Sequence, residues 1–133
     1  MKRKILNSLI FSVLFAINFS LSAKESTPSY YVSKTTFDST LKKDEVVFIF
    51  NFSTNDQGIA KNVIKWSYNG KILTQKPDAK GNIILKTKPG SYVFRFYYNS
   101  DYNEIKTTGI LIKPRNKMEI QVNFESSKIS GNG

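Results

Sequence analysis

Glu45-Val46-Val47-Phe48-Ile49-Phe50-Asn51-Phe52 is the stretch that decides the fold. Val46, Phe48, Phe50 and Phe52 fall on every second residue, so in an extended chain they share one face. A helix would split these four side chains between opposite sides of its axis. Val47 and Ile49, on the other face, are also apolar, which marks a strand covered on both sides and therefore central in its sheet.

The same alternation continues outward from this strand. Residues 63–68 form the next expected strand. Asn69-Gly70 then supplies the positive φ angles of a tight hairpin, from which residues 71–74 return. Pro77-Asp78-Ala79-Lys80-Gly81-Asn82 is a turn cluster, after which Ile83, Leu85 and Thr87 alternate with Ile84, Lys86 and Lys88. Pro89-Gly90 turns the chain again. Tyr92, Phe94 and Phe96 then share one face and Val93, Arg95 and Tyr97 the other. Residues 105–112 read as a strand with a bulge at Gly109. Pro114-Arg115-Asn116 precedes the clearest half-buried strand, with Met118, Ile120, Val122 and Phe124 inward and Glu119, Gln121, Asn123 and Glu125 outward. Upstream, Tyr30–Phe37 suits an edge strand and Lys42-Lys43-Asp44 is a charged break. No 3.6-residue period persists for ten residues after the first apolar segment. The reading is all-β: an antiparallel β-sandwich of seven or eight short strands.

That first segment has a different grammar. Met1-Lys2-Arg3-Lys4 is basic, residues 5–21 are largely apolar, and Ser20-Leu21-Ser22-Ala23 offers small residues for cleavage. This order describes a secretory signal peptide at 1–23, cut after Ala23 or, as the alternative, after Ser22. A retained spanning helix needs about 20 mostly apolar residues, and Asn7, Ser8, Ser12, Asn18 and Ser20 interrupt this run. The expected organisation is a signal peptide at 1–23, a polar segment with the edge strand at 24–44, one β-sandwich domain at 45–125 and a polar tail at 126–133. Signal and missing cysteine together suit a secreted or periplasmic protein of a bacterial envelope.

The chain has 20 Lys+Arg against 10 Asp+Glu. Three of the 20 are Lys2, Arg3 and Lys4, so the processed chain keeps 17 against 10, and only Arg95 and Arg115 among them are arginine. Lysine is a hydrated point charge rather than a planar fork for phosphate. The surplus therefore implies solubility and a weak attraction to anionic surfaces, not nucleic-acid recognition. Lys61, Lys65, Lys71, Lys76, Lys80, Lys86 and Lys88 crowd the middle of the chain and are the candidates for a basic stripe.

Two turns and the last strand carry a resemblance. Thr74-Gln75-Lys76-Pro77-Asp78-Ala79-Lys80-Gly81-Asn82-Ile83, then Thr87-Lys88-Pro89-Gly90-Ser91-Tyr92, then the alternating run 117–124 resemble the carboxypeptidase regulatory-like domains over residues 58–125. The stretch from Thr74 to Gly81 is longer than the usual turn of that family, and strand 45–52 lies ahead of its usual start. The resemblance implies a prealbumin-like, Ig-like sandwich serving as a non-catalytic module, and fold alone does not set function.

Histidine and cysteine are both absent. That removes the Ser-His-Asp triad, the Cys-His dyad and the ordinary zinc or copper site. The carboxylates are scattered, so no metal, cofactor or catalytic residue is expected, and the chain reads as a non-enzyme. Tyr98, Asn99, Asp101 and Tyr102 are the candidate binding residues, because tyrosine and asparagine in loops make adaptable contacts. Trp66 is a further candidate as a stacking platform, although core packing is the commoner fate of such a ring. The expected function is an exported module that binds an envelope protein or glycan. The alternatives are an assembly subunit that polymerises through strand pairing of Tyr30–Phe37 and, less favoured, a carboxylate-based glycan hydrolase.

Overall fold

The computed structural model describes residues 29–127. The expected signal peptide and the far ends of both polar segments lie outside them. The strands are β1 (Tyr30–Phe37), β2 (Val46–Thr54), β3 (Gly58–Ile59), β4 (Ile64–Tyr68), β5 (Lys71–Gln75), β6 (Asn82–Thr87), β7 (Gly90–Tyr92), β8 (Phe94–Tyr97), β9 (Ile105–Lys106), β10 (Ile110–Ile112) and β11 (Asn116–Phe124). Among the described residues no helix is long and apolar enough to cross a membrane.

The strands form two layers in a sandwich-like arrangement. In the first, β1 pairs with β11 and β11 with β2, while β6 and the two-residue β3 share the far edge of β2. In the second, the order is β5-β4-β8-β9, and β7 pairs with β10. The two-faced strand 46–54 is central, as its apolar residues on both faces require. Val46, Phe48, Phe50 and Phe52 are fully buried, Val47 is buried on the outer side and Ile49 is half-buried.

Side chains from both layers fill one core. Phe50 lies at its centre, with ring centroids 4.9 Å from Phe94, 5.1 Å from Phe96 and 5.6 Å from Trp66. Most of these ring pairs meet edge to face, the arrangement the quadrupoles of aromatic rings favour. Phe48 likewise meets Phe94 at 5.0 Å and Tyr92 at 5.3 Å across the layers.

Two features depart from the sequence reading. The sheets are antiparallel except at their centre, where β11 runs parallel to β2 from Lys117↔Val47 to Phe124↔Thr54. Parallel neighbours need a long crossover, and here all of residues 55–115 provide it. Next, the strand count rises from eight to eleven because two strands are broken and the two-residue β3 is added. Between the pairs Arg95↔Lys106 and Tyr92↔Ile110 the chain takes three steps on one side and four on the other. This is a bulge, and it divides what would be one hairpin into β7–β10 and β8–β9. The expected bulge near Gly109 is therefore present, but Thr107 holds it. The Phe94 N–H donates to Thr107 Oγ1 and the Thr107 N–H donates to the Phe94 carbonyl, both at 2.9 Å. Tyr30–Phe37 is the edge strand the sequence suggested, and its pairing with β11 starts the layered structure before residue 45.

The turns follow local chemistry. Asn69 and Gly70 have φ of 47° and 79°, as a tight hairpin demands. Asp78 Oδ1 accepts the N–H groups of Lys80 and Asn82, closing the turn before β6.

A candidate binding face on the second sheet

Strand parity sets what the outer side of the second sheet presents. Ile64, Trp66, Phe94 and Phe96 point into the core, so Lys65, Ser67, Arg95 and Tyr97 point out. Register then makes neighbours of residues far apart in sequence: Lys65 lies opposite Tyr97, and Ser67 lies between Arg95 and Ile72. Ser67 is small and its neighbours are large. The result is a shallow depression of about 260 Å³ lined by Lys65, Trp66, Ser67, Ile72, Arg95, Tyr97 and Glu104.

The chemistry of this depression is mixed. Tyr97 keeps 40% of its surface in solvent, and Ile72 keeps 69%. Arg95 Nη1 is 3.7 Å from Glu104 Oε2, with both side chains about half exposed. Such an exposed pair is worth little, so the guanidinium and the carboxylate are both open to exchange for a ligand. The face therefore combines a ring, an aliphatic side chain, two cationic donors, a hydroxyl and an anionic acceptor. A wider hollow of about 490 Å³ is lined by Lys61, Asn62, Lys76, Pro77, Asp78 and Ala79, and it has no aromatic ring. Among the described residues no group of three or more acidic side chains is placed to hold a metal ion.

Of the candidates read from the sequence, Trp66 belongs to the floor of this depression and the others lie elsewhere. Trp66 is 2% exposed and lies among Phe50, Tyr68 and Phe96, so its ring offers no face to solvent. Its Nε1 has no hydrogen-bond partner. Tyr102 is 6% exposed, and its hydroxyl donates to Asp56 Oδ1 at 2.7 Å. That hydrogen bond, followed by burial, raises the phenol pKa above its ordinary value. Tyr98 is half-buried, stacked on Phe124 at 5.2 Å and 5.4 Å from Tyr102, and its hydroxyl accepts the Asn62 N–H. Asn99 Oδ1 accepts the Asp101 N–H and the Asn99 carbonyl accepts the Tyr102 N–H. The stretch 98–102 thus closes one end of the core, with Ser100 and Asp101 exposed at its tip.

Parity was the signal that separates these outcomes. Polar Lys65 and Ser67 flank Trp66, which places the indole on the covered side. Of the consecutive tyrosines, Tyr97 is the one that shares a face with Arg95. Trp66→Phe is accordingly expected to shift stability by less than about 1.5 kcal/mol, since the lost volume is offset by removal of an unpartnered donor. Urea unfolding of the variant checks that statement.

No family model matches this chain. No curated protein matches it either. The likeness to carboxypeptidase regulatory-like domains accordingly rests on the two turns and the last strand alone.

The stripe of mid-chain lysines does not form. Lys61, Lys76 and Lys80 lie at the end that carries the 55–63 and 76–81 loops. Lys65 and Lys71 lie on the second sheet, and Lys86 and Lys88 lie toward the opposite end. Antiparallel turns send successive lysines to opposite ends of the layers.

Proposed function

We propose that this chain is an exported, non-catalytic module of the carboxypeptidase regulatory-like kind that binds a glycan of the bacterial cell envelope. Binding runs through the outer face of the second sheet. The observation that carries this reading is the exposed ring of Tyr97 beside the shallow floor at Ser67, flanked by Lys65, Arg95 and Glu104. A sugar ring has an apolar face that suits stacking on an amphipathic tyrosine, and its hydroxyls suit a cluster of charged donors and acceptors. The lack of histidine and cysteine supports a role in binding rather than in catalysis.

Tyr97→Ala is expected to weaken binding of solubilised envelope polysaccharide by about tenfold or more, the scale of a central aromatic contact. Arg95→Ala should weaken it less. Tyr102→Phe should leave it unchanged, because that hydroxyl serves Asp56. Isothermal titration with fractionated envelope glycans reads all three. Equal affinity for the parent and Tyr97→Ala, or no binding to any fraction, would overturn the reading.

The assembly alternative has one observation in its favour. β1 lies at the sheet edge, seven of its eight residues are exposed, and its outer side has no paired strand among the described residues. Against ready polymerisation stand the register shift between Val32 and Lys34 and the lysine itself, both devices that blunt an edge. Size-exclusion chromatography decides: a monomer favours the binding module and a ladder of oligomers favours assembly.

A further inference from the structure

Register brings three chain segments together at one end of the layers. β1 finishes at Phe37 opposite Asn116, β2 begins at Val46 opposite Thr87, and β11 begins beside both. The connecting residues 38–45, 88–89 and 113–115 therefore share that end. The first and last of these are tied together: the Asp38 N–H donates to the Arg115 carbonyl at 2.7 Å, and the Arg115 N–H donates to the Glu45 carbonyl at 2.9 Å. Arg115 holds this junction at φ 61°, a strained conformation for a residue with a side chain.

The charge at this end is one-sided. Lys42, Lys43, Lys88 and Lys113 are exposed, and half-buried Arg115 lies among them. Of the three acids there, Asp38 is engaged by Lys117 at 3.9 Å and Glu45 by Lys86 at 3.8 Å. Five cations remain against Asp44. Arg115 Nε is buried without a hydrogen-bond partner. Phe37, in register with Asn116 beside this turn, keeps 65% of its surface in solvent. At the far end of nine-residue β2, roughly 30 Å away, the loops carry Asp56, Asp78, Asp101 and Glu125 against Lys61, Lys76 and Lys80. The molecule is therefore charge-polarised along its strands.

We propose that the basic end docks on an anionic lipid bilayer, with Phe37 entering the headgroup layer and Lys42, Lys43, Lys88, Lys113 and Arg115 facing lipid phosphates. The cations come from three separate segments and spread over an end, which suits a broad charged surface better than the groove a linear polyanion would follow. An exposed aromatic ring among lysines is the pairing that holds proteins at a membrane interface. The polarity of charge favours end-on approach. End-on docking leaves the depression around Tyr97 facing sideways and accessible, so the two surfaces act independently.

Co-sedimentation of the full-length export product tests this, with phosphatidylcholine vesicles and with mixed phosphatidylglycerol–phosphatidylcholine vesicles. Binding is expected only to the mixed vesicles and should fall as salt rises. Each cation removed should cost about fivefold. The triple change Lys42→Glu, Lys43→Glu, Lys113→Glu should abolish binding, while Lys61→Glu, Lys76→Glu, Lys80→Glu, equal in charge but at the other end, should retain it. Phe37→Ser should weaken binding without changing the melting temperature. Three results would each overturn the proposal: equal losses in the two triple variants, an inert Phe37→Ser, or binding to soluble polyphosphate without binding to the mixed vesicles.

Discussion

Phe50→Ala is expected to lower stability by about 3–5 kcal/mol, the usual cost of emptying a large aromatic site in a packed core. Domains of this size hold only about 5–15 kcal/mol in all. The melting temperature should therefore fall by roughly 15–30 °C. The reason lies in the neighbourhood of this ring, which touches Phe48 and Phe52 along its own strand and Phe94, Phe96 and Trp66 across the layers. Sheet backbones on both sides keep these rings from closing over the void. Phe50→Leu should cost far less, because it retains most of the volume. Ile84→Ala, at a side chain 60% exposed on the outer face, should stay within about 0.5 kcal/mol. Thermal unfolding followed by circular dichroism measures the series. A loss at Phe50 no larger than at Ile84 would mean that the two layers do not share one core.

Gly81→Ala should be the second most damaging change, at about 2–4 kcal/mol, combining left-handed strain with overpacking. Gly81 has φ +86°, and an added Cβ would lie 2.8 Å from the Phe52 carbonyl oxygen and 3.0 Å from Ile59 Cγ2. The first of these atoms is central-strand backbone and cannot move aside. The glycine is pinned from both sides as well. The Phe52 N–H donates to its carbonyl at 2.8 Å, and its own N–H donates to the Asp78 carbonyl at 2.9 Å. Gly58 supplies the comparison, since it has φ +80° but nothing within 4 Å of an added Cβ. Gly58→Ala should thus show the conformational strain alone, about 1–2 kcal/mol. Urea midpoints of the two variants separate strain from collision. Equal losses would show that no collision occurs at Gly81.

Much of this structure is legible residue by residue. The alternation in 46–52, 92–97 and 118–124 identifies inward and outward faces, and these are the faces observed. Turn chemistry at Asn69-Gly70 and at Asp78–Asn82 places two connections correctly, because those turns depend on backbone angles and hydrogen bonds within a few residues. The candidate face was less legible. Tyr98, Asn99 and Tyr102 have the composition of a binding loop, yet Phe124 and Asp56, contributed from distant strands and loops, turn them to sealing the core. Tyr97 carries no better local mark than Tyr98. It becomes a candidate only once register sets it against Lys65 and parity sets it beside Arg95.

What the sequence by itself determined is which side of each strand is oily and where the chain bends, since both depend on neighbours one to four residues apart. Only the tertiary structure decided which strands lie side by side. Period-two alternation is the same in parallel and antiparallel pairs, so nothing local announces that β11 runs alongside β2 in the same direction. The gathering of Lys42, Lys43, Lys88, Lys113 and Arg115 at one end has the same origin. Their common position follows from long-range strand pairing, which no short window of residues contains.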